Sequence, residues 1–194
     1  MLELQDDMIT SERLDTLFAY WGRDYSKDWL SCDRAEERRA YDALETWVGE
    51  TNKRRKQLTV FEYYSDHFML TPLFPMMPER ICNDLRQYKA LGIDAITNLV
   101  VPYPQAGPEY SWKWAQGYNS YAFARLAWGD SLATVQHQFW QGCPEADRAF
   151  IQELAVAIGP LLERISSFNV PLFPARAVDV KSASVTKEQA GEIK

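Results

Sequence analysis

The spacing of apolar positions changes period several times along the chain. Residues 1–15 are polar with no sustained period and read as a lightly packed N-terminal segment. Residues 14–25 (LDTLFAYWGRDY) are short, apolar and aromatic. They predict a buried strand followed by a loop at Gly22, Arg23 and Asp24. Asp33 and Glu36 then have the spacing of a capping box, which predicts a helix start. Tyr41, Leu44, Trp47 and Val48 fall on one face of that helix. Its end is predicted within residues 49–56, where Lys53, Arg54, Arg55 and Lys56 suit the negative pole of the helix dipole.

Residues 57–64 (QLTVFEYY) are β-branched and aromatic, the strongest strand signal in the chain. A loop with Pro72 and Pro75 follows, and Pro78 fits the first turn of a helix. Ile81, Leu85, Tyr88 and Leu91 recur at helical spacing, and Gly92 supplies the stop. Residues 93–101 (IDAITNLVV) predict another buried strand. Strands alternating with helices imply parallel βα units with right-handed crossovers. Residues 102–117 read as a long loop carrying Tyr103, Tyr110, Trp112 and Trp114. Residues 118–128 read as helical, and Asp130-Ser131 opens a helix carrying Leu132, Val135 and Phe139. A longer helix is predicted over residues 145–165, interrupted near Gly159 and Pro160. Trp128 and Trp140 fall at core-like helical positions. The expected organisation is a polar segment (1–15), βα units (16–117), a helical region packed on them (118–174) and a polar tail (175–194).

Composition narrows the function classes. With 21 basic and 27 acidic residues the chain of 194 carries a net charge of −6, and no long basic stripe offsets it. Nucleic acid is therefore not an expected partner. No apolar run has the length of a membrane span, and the N-terminal residues are too acidic and polar for a secretory signal. Three widely spaced cysteines, Cys32, Cys82 and Cys143, suit free thiols in a reducing compartment, so a cytoplasmic location is expected. Two histidines, and no Cys or His pair at ligand spacing, give no metal site. No phosphate-binding glycine loop or G-x-S-x-G elbow is present, and no cofactor is expected. Seven Trp and ten Tyr are a heavy aromatic load.

In parallel βα units, functional groups gather where strands end and loops begin. Three such ends are visible: Tyr20, Trp21, Arg23, Asp24 and Tyr25; then Glu62, Tyr63, Tyr64, Asp66 and His67; then Asn98, Tyr103 and the Trp112/Trp114 loop. Carboxylates beside flat rings form a sugar-binding palette, because rings stack on apolar sugar faces while carboxylates and amides accept from hydroxyls. Glycoside hydrolysis would need a carboxylic acid with a raised pKa and a second carboxylate. The same residues have a plainer reading. Tyr63 and Tyr64 suit sheet packing, and Glu62 suits either solvent or a pair with a neighbouring Arg.

The motif order carries a family resemblance. Val60-Phe61-Glu62-Tyr63-Tyr64-Ser65-Asp66 is followed by a helix-strand run from Ile81 to Ile96 that includes Asp84-Leu85, Tyr88-Lys89 and Gly92-Ile93-Asp94-Ala95-Ile96. Tyr118-Asn119-Ser120-Tyr121 and Leu126-Ala127-Trp128-Gly129-Asp130 come next. Over roughly residues 16–165 the chain resembles the later part of glycoside hydrolase family 163, a bacterial family formerly of unknown function whose members resemble endo-β-N-acetylglucosaminidases. It departs from the family pattern at Ala95, where Gly is usual, and at Gly129-Asp130, where Asp-Pro is usual.

The resemblance implies a (β/α)8-type barrel of about 250 residues or more. The visible strands would be about its last three, with a C-terminal helical region beyond. It also implies substrate-assisted hydrolysis, in which the sugar's N-acetyl group attacks its own anomeric carbon. The acidic residues for that step are expected on a middle barrel strand outside the region matched. The expectation is thus a carbohydrate-active protein whose catalytic centre is incomplete in this chain. Glu62 and Asp66 are its tentative catalytic residues, and Arg23, Asp24, Tyr63, Tyr64, Trp112 and Asn119 its substrate-binding ones. A non-catalytic carbohydrate-binding or oligomeric interaction module, or an inactive truncated relative, stands beside it. A second copy or a partner chain would then supply the missing barrel half, since three strands cannot close a barrel.

Overall fold

β-branched and aromatic runs form strands, and each is followed by a helix whose apolar stripe returns onto the sheet. The computed structural model describes residues 15–19, 23, 25, 27–28, 35–66, 75–101 and 113–165. Within them lie three strands, β1 (Thr16–Ala19), β2 (Leu58–Asp66) and β3 (Ala95–Val101). Five helices accompany them: α1 (Ala35–Lys53), α2 (Pro78–Ala90), α3 (Lys113–Ala127), α4 (Leu132–Gln141) and α5 (Glu145–Ile165). The strands form one parallel sheet in the order β1-β2-β3. The fold is mixed α/β, as the alternating pattern implies.

The register explains the core. Phe18 lies beside Val60 and Val60 beside Ile96, so these share one sheet face. On that face Leu58 and Val60 pack with Ala40, Ala43, Leu44 and Trp47 of α1 and with Tyr88 and Ile93. A second cluster joins Tyr63 and Tyr64 to Ile81 and Cys82 of α2, Ala122 and Leu126 of α3, and Val135 of α4. Tyr118, Trp140 and Ala155 form a third, where α5 reaches the body.

Several boundaries differ from the sequence expectation. The first strand is four residues long, and Leu17 is 57% exposed, so it is not a wholly buried strand. The strand predicted over 57–64 continues to Asp66, across a register irregularity between Glu62 and Ser65. Buried hydrogen-bond partners from other elements let polar side chains stay in the sheet there. The third strand starts at Ala95, because the Ile93 amide still donates to the Tyr88 carbonyl at the end of α2. Helix α3 begins at Lys113, so Trp114 is helical and not part of a loop. Its ring meets Trp140 edge-on, with centroids 6.0 Å apart. Helix α5 runs through Gly159 and Pro160, where interruption was expected. Proline removes one backbone donor there without ending the helix.

Trp140 is buried as expected, but Trp128 is 92% exposed. Helix α3 ends at Ala127, and Trp128 sits in the turn before Gly129, whose φ is 96°. Its position would be core-like only if the helix continued. The Ser131 start of α4 holds: its side chain accepts from the Thr134 amide. Asp33, His67, the rings of Tyr103, Tyr110 and Trp112, and the tail beyond 165 lie outside the described residues.

Candidate functional site

The C-terminal half of β2 carries the unusual chemistry. Up to Val60 the strand is an ordinary apolar strand, and then come Glu62, Tyr63, Tyr64, Ser65 and Asp66, all buried. Glu62 points into the layer between sheet and α2, where it meets Arg23 and Asp84. One guanidinium nitrogen of Arg23 donates to Glu62 Oε1 at 3.0 Å, and the other donates to Asp84 Oδ1 at 2.6 Å. The hydroxyls of Tyr25 and Tyr88 also donate to Glu62, and that of Tyr64 donates to Asp84 Oδ2 at 2.9 Å. The Tyr25 oxygen in turn accepts from the Tyr63 amide at 3.1 Å. All six side-chain owners are at most 2% exposed.

Burial costs charge heavily unless partners compensate, so this cluster depends on completeness. Burial draws the Arg23 pKa down, but Asp84 and Glu62 together hold it well above its ordinary value. The Glu62 carboxyl is raised, first by burial, with Arg23 opposing and Asp84 adding to the rise. Burial, together with the neighbouring carboxylates, pushes the Tyr25, Tyr64 and Tyr88 hydroxyls well up. They remain neutral donors at ordinary pH. A guanidinium fork is the natural bridge between two carboxylates, because its donors are planar and fixed.

A second polar cluster closes the strand ends. Ser65 Oγ accepts from Asn98 Nδ2 at 3.2 Å and from Ser120 Oγ at 2.9 Å. Gln116 Nε2 of α3 donates to the carbonyls of Ser65 and Val101, at 2.7 and 2.8 Å, which ties the ends of β2 and β3 together. Asn119 Nδ2 donates to the carbonyls of Tyr64 and Pro75, and its Oδ1 accepts from the Met77 amide at 2.9 Å. Asn98 Oδ1 is buried without a hydrogen-bond partner. Asp66 is fully buried at the last position of β2, and its charge contributes, after burial, to raising the Tyr63 hydroxyl to about 12.

Of the eight sequence-nominated residues, six are described: Glu62, Asp66, Arg23, Tyr63, Tyr64 and Asn119. Asp24 and Trp112 lie outside the described residues. Arg23 is bonded to Glu62, the internal Arg pair that the plainer reading allowed. Tyr64 belongs to the same buried network, and Asn119 is spent on three backbone groups. Asp84 and Tyr88 were not nominated. Their signal is Asp84 itself, a carboxylate on the helical stripe between Ile81 and Tyr88 that reads as apolar.

Among the described residues no group of three His, Cys, Asp or Glu side chains is disposed to hold a metal ion. No described helix is long and apolar enough to cross a membrane. A groove of about 490 Å³ lies elsewhere, between the start of α2 and helices α3, α4 and α5, lined by Met76, Glu79, Tyr118, Gln136 and Trp140 among others. None of the nominated residues lines it. Comparison with protein-family models, curated proteins and solved structures gives no match.

Proposed function

We propose that the chain is a carbohydrate-active βα module of the glycoside hydrolase family 163 type, which holds an N-acetylglucosaminyl ligand at the C-terminal end of its sheet and does not hydrolyse it alone. One observation carries the proposal: polar groups gather at the C-terminal end of β2, beside Asn98 of the neighbouring β3, and βα proteins bind ligands at such strand ends. Tyr63, Ser65 and Asp66 end β2, and the buried, unpartnered Asn98 Oδ1 stands on β3 beside them. The motif resemblance supports the sugar class and a barrel architecture that further strands would complete. The binding-only half rests on Glu62. Its oxygens already accept from Arg23, Tyr25 and Tyr88. A glycosidase needs an acid that reaches the leaving oxygen. Glu62 acts instead as the brace beneath the ligand end, and Asp66 is the carboxylate assigned to it.

Calorimetric titration with chitobiose tests the binding, and a fluorogenic N-acetylglucosaminide tests turnover. Saturable binding is expected, weakened about tenfold or more in Asp66→Asn, the worth of one charge-assisted hydrogen bond. No turnover is expected. Absence of binding at millimolar sugar would overturn the carbohydrate reading, and turnover lost in Asp66→Asn would overturn the binding-only half.

A further inference from the structure

Helices α2, α3, α4 and α5 leave a gap where they meet. The groove of about 490 Å³ between them has the volume of a site for a small organic molecule. Its floor is apolar: Met76, Tyr118, Trp140 and Ala155 line it, and the last three are buried. The rings of Tyr118 and Trp140 have centroids 5.4 Å apart. Each is held by a further ring, since Phe139 stacks on Tyr118 at 4.1 Å and Trp114 meets Trp140 edge-on. The floor is therefore set by packing before any ligand arrives.

The rim carries one kind of charge. Glu79, in the first turn of α2, is the only acidic side chain among the described lining residues, and no Lys or Arg is among them. The next residue, Arg80, is taken up by Asp28 and the Tyr25 carbonyl. Gln136 Nε2 of α4 donates to Glu79 Oε1 at 2.6 Å, which fixes the direction of the carboxylate. The charge is felt on the floor: after burial, Glu79 is the next influence raising the Tyr118 hydroxyl. His137 and Gln152 complete the rim.

From this pairing of an aromatic floor with one fixed carboxylate we propose that the groove binds a small organic cation, a single ammonium group on an apolar, ring-sized body. The body lies against Tyr118, Trp140 and Ala155, and the ammonium donates to Glu79. An anion would meet an unopposed carboxylate, and a neutral molecule would leave that carboxylate without a counter-charge. None of the residues assigned to the carbohydrate end lines the groove, so the proposal stands apart from that reading.

Calorimetric titration of the full chain with phenethylammonium, phenethyl alcohol and phenylacetate tests it, because the three share an apolar body and differ in charge. Saturable binding is expected, strongest for the cation and weakest for the carboxylate. Glu79→Gln should weaken the cation at least about tenfold and leave the alcohol nearly unchanged, as loss of one charge-assisted contact does. Val156 lines the groove and is 77% exposed, so Val156→Trp should fill the groove and abolish binding without entering the core. Circular dichroism checks that each variant keeps its helices. Absence of saturable binding at millimolar cation overturns the proposal. Binding indifferent to Glu79→Gln or to Val156→Trp equally overturns it, since the contact would then lie elsewhere. Displacement of the cation by chitobiose overturns the ligand class, because the groove would then serve a sugar.

Discussion

Arg23 is the residue on which the buried network turns. It bridges Glu62 on β2 and Asp84 on α2, two carboxylates that repel one another without it. Replacing it with Met fills much of the volume and removes the charge. Breaking a buried ion pair from one side costs about 3–5 kcal/mol, because the remaining charge is left uncompensated. Arg23→Met is therefore expected to lower the unfolding free energy by about that amount in urea denaturation. A loss within the few tenths of a kcal/mol typical of a surface site would show that water reaches the carboxylates. The pairing of Glu62 with some Arg was legible in the sequence, as one of two plain alternatives. Which Arg it would be was not, because Arg23 lies 39 positions away and only the parallel placement of β1 beside β2 brings it over. Asp84 was legible in principle as a charge on an apolar stripe, and its partners again were not.

The strands and helices show where pattern suffices and where it fails. Helix α2 was fully legible: Pro78 in its first turn, an apolar stripe and a glycine stop are all local signals. Gly92 adopts φ 80°, and a Cβ there would meet nothing within 4 Å. The cost of Gly92→Ala is thus backbone strain alone, about 1–2 kcal/mol. Thermal or urea denaturation should show that loss, and an unchanged midpoint would mean that the turn relaxes to another conformation. The end of β2 failed the pattern. The sequence signal stops at Tyr64, yet hydrogen bonds from Gln116 and Asn119 to the Ser65 and Tyr64 carbonyls keep the segment in place through Asp66. Helix α3 was shortened for a similar reason. The aromatic density around Trp112 and Trp114 reads as loop, while the spacing of Ala115, Tyr118, Ala122 and Leu126 builds a helix from Lys113.

At the scale of the whole molecule, the buried Glu62 carboxyl couples protonation to global stability. Burial is the largest influence on Glu62 and raises its carboxyl above the ordinary 4.5. The folded state therefore holds this proton to higher pH than the unfolded chain does. The stability it contributes is complete below about pH 4.5 and is lost as pH rises through the folded pKa. The comparison to make is urea unfolding of the wild type and Glu62→Gln from about pH 4 to about pH 8. The wild-type unfolding free energy minus that of the variant is expected to fall with rising pH. A difference that stays flat or climbs would mean that Arg23 outweighs burial.

The sequence by itself determined the alternation of strands and helices, the parallel α/β class and most element positions. Those follow from local periodicity, caps and stops, and such signals are carried by residues a few positions apart. It also marked the strand ends as the place where chemistry collects. The tertiary structure decided what each polar residue does. Burial and partners assign Glu62 to Arg23, Asp84 to Tyr64 and Asn119 to the backbone around Tyr64 and Met77. Those partners lie 20 to 55 positions apart. Composition leaves such choices open because a carboxylate has the same sequence signature whether it faces a ligand or a buried guanidinium.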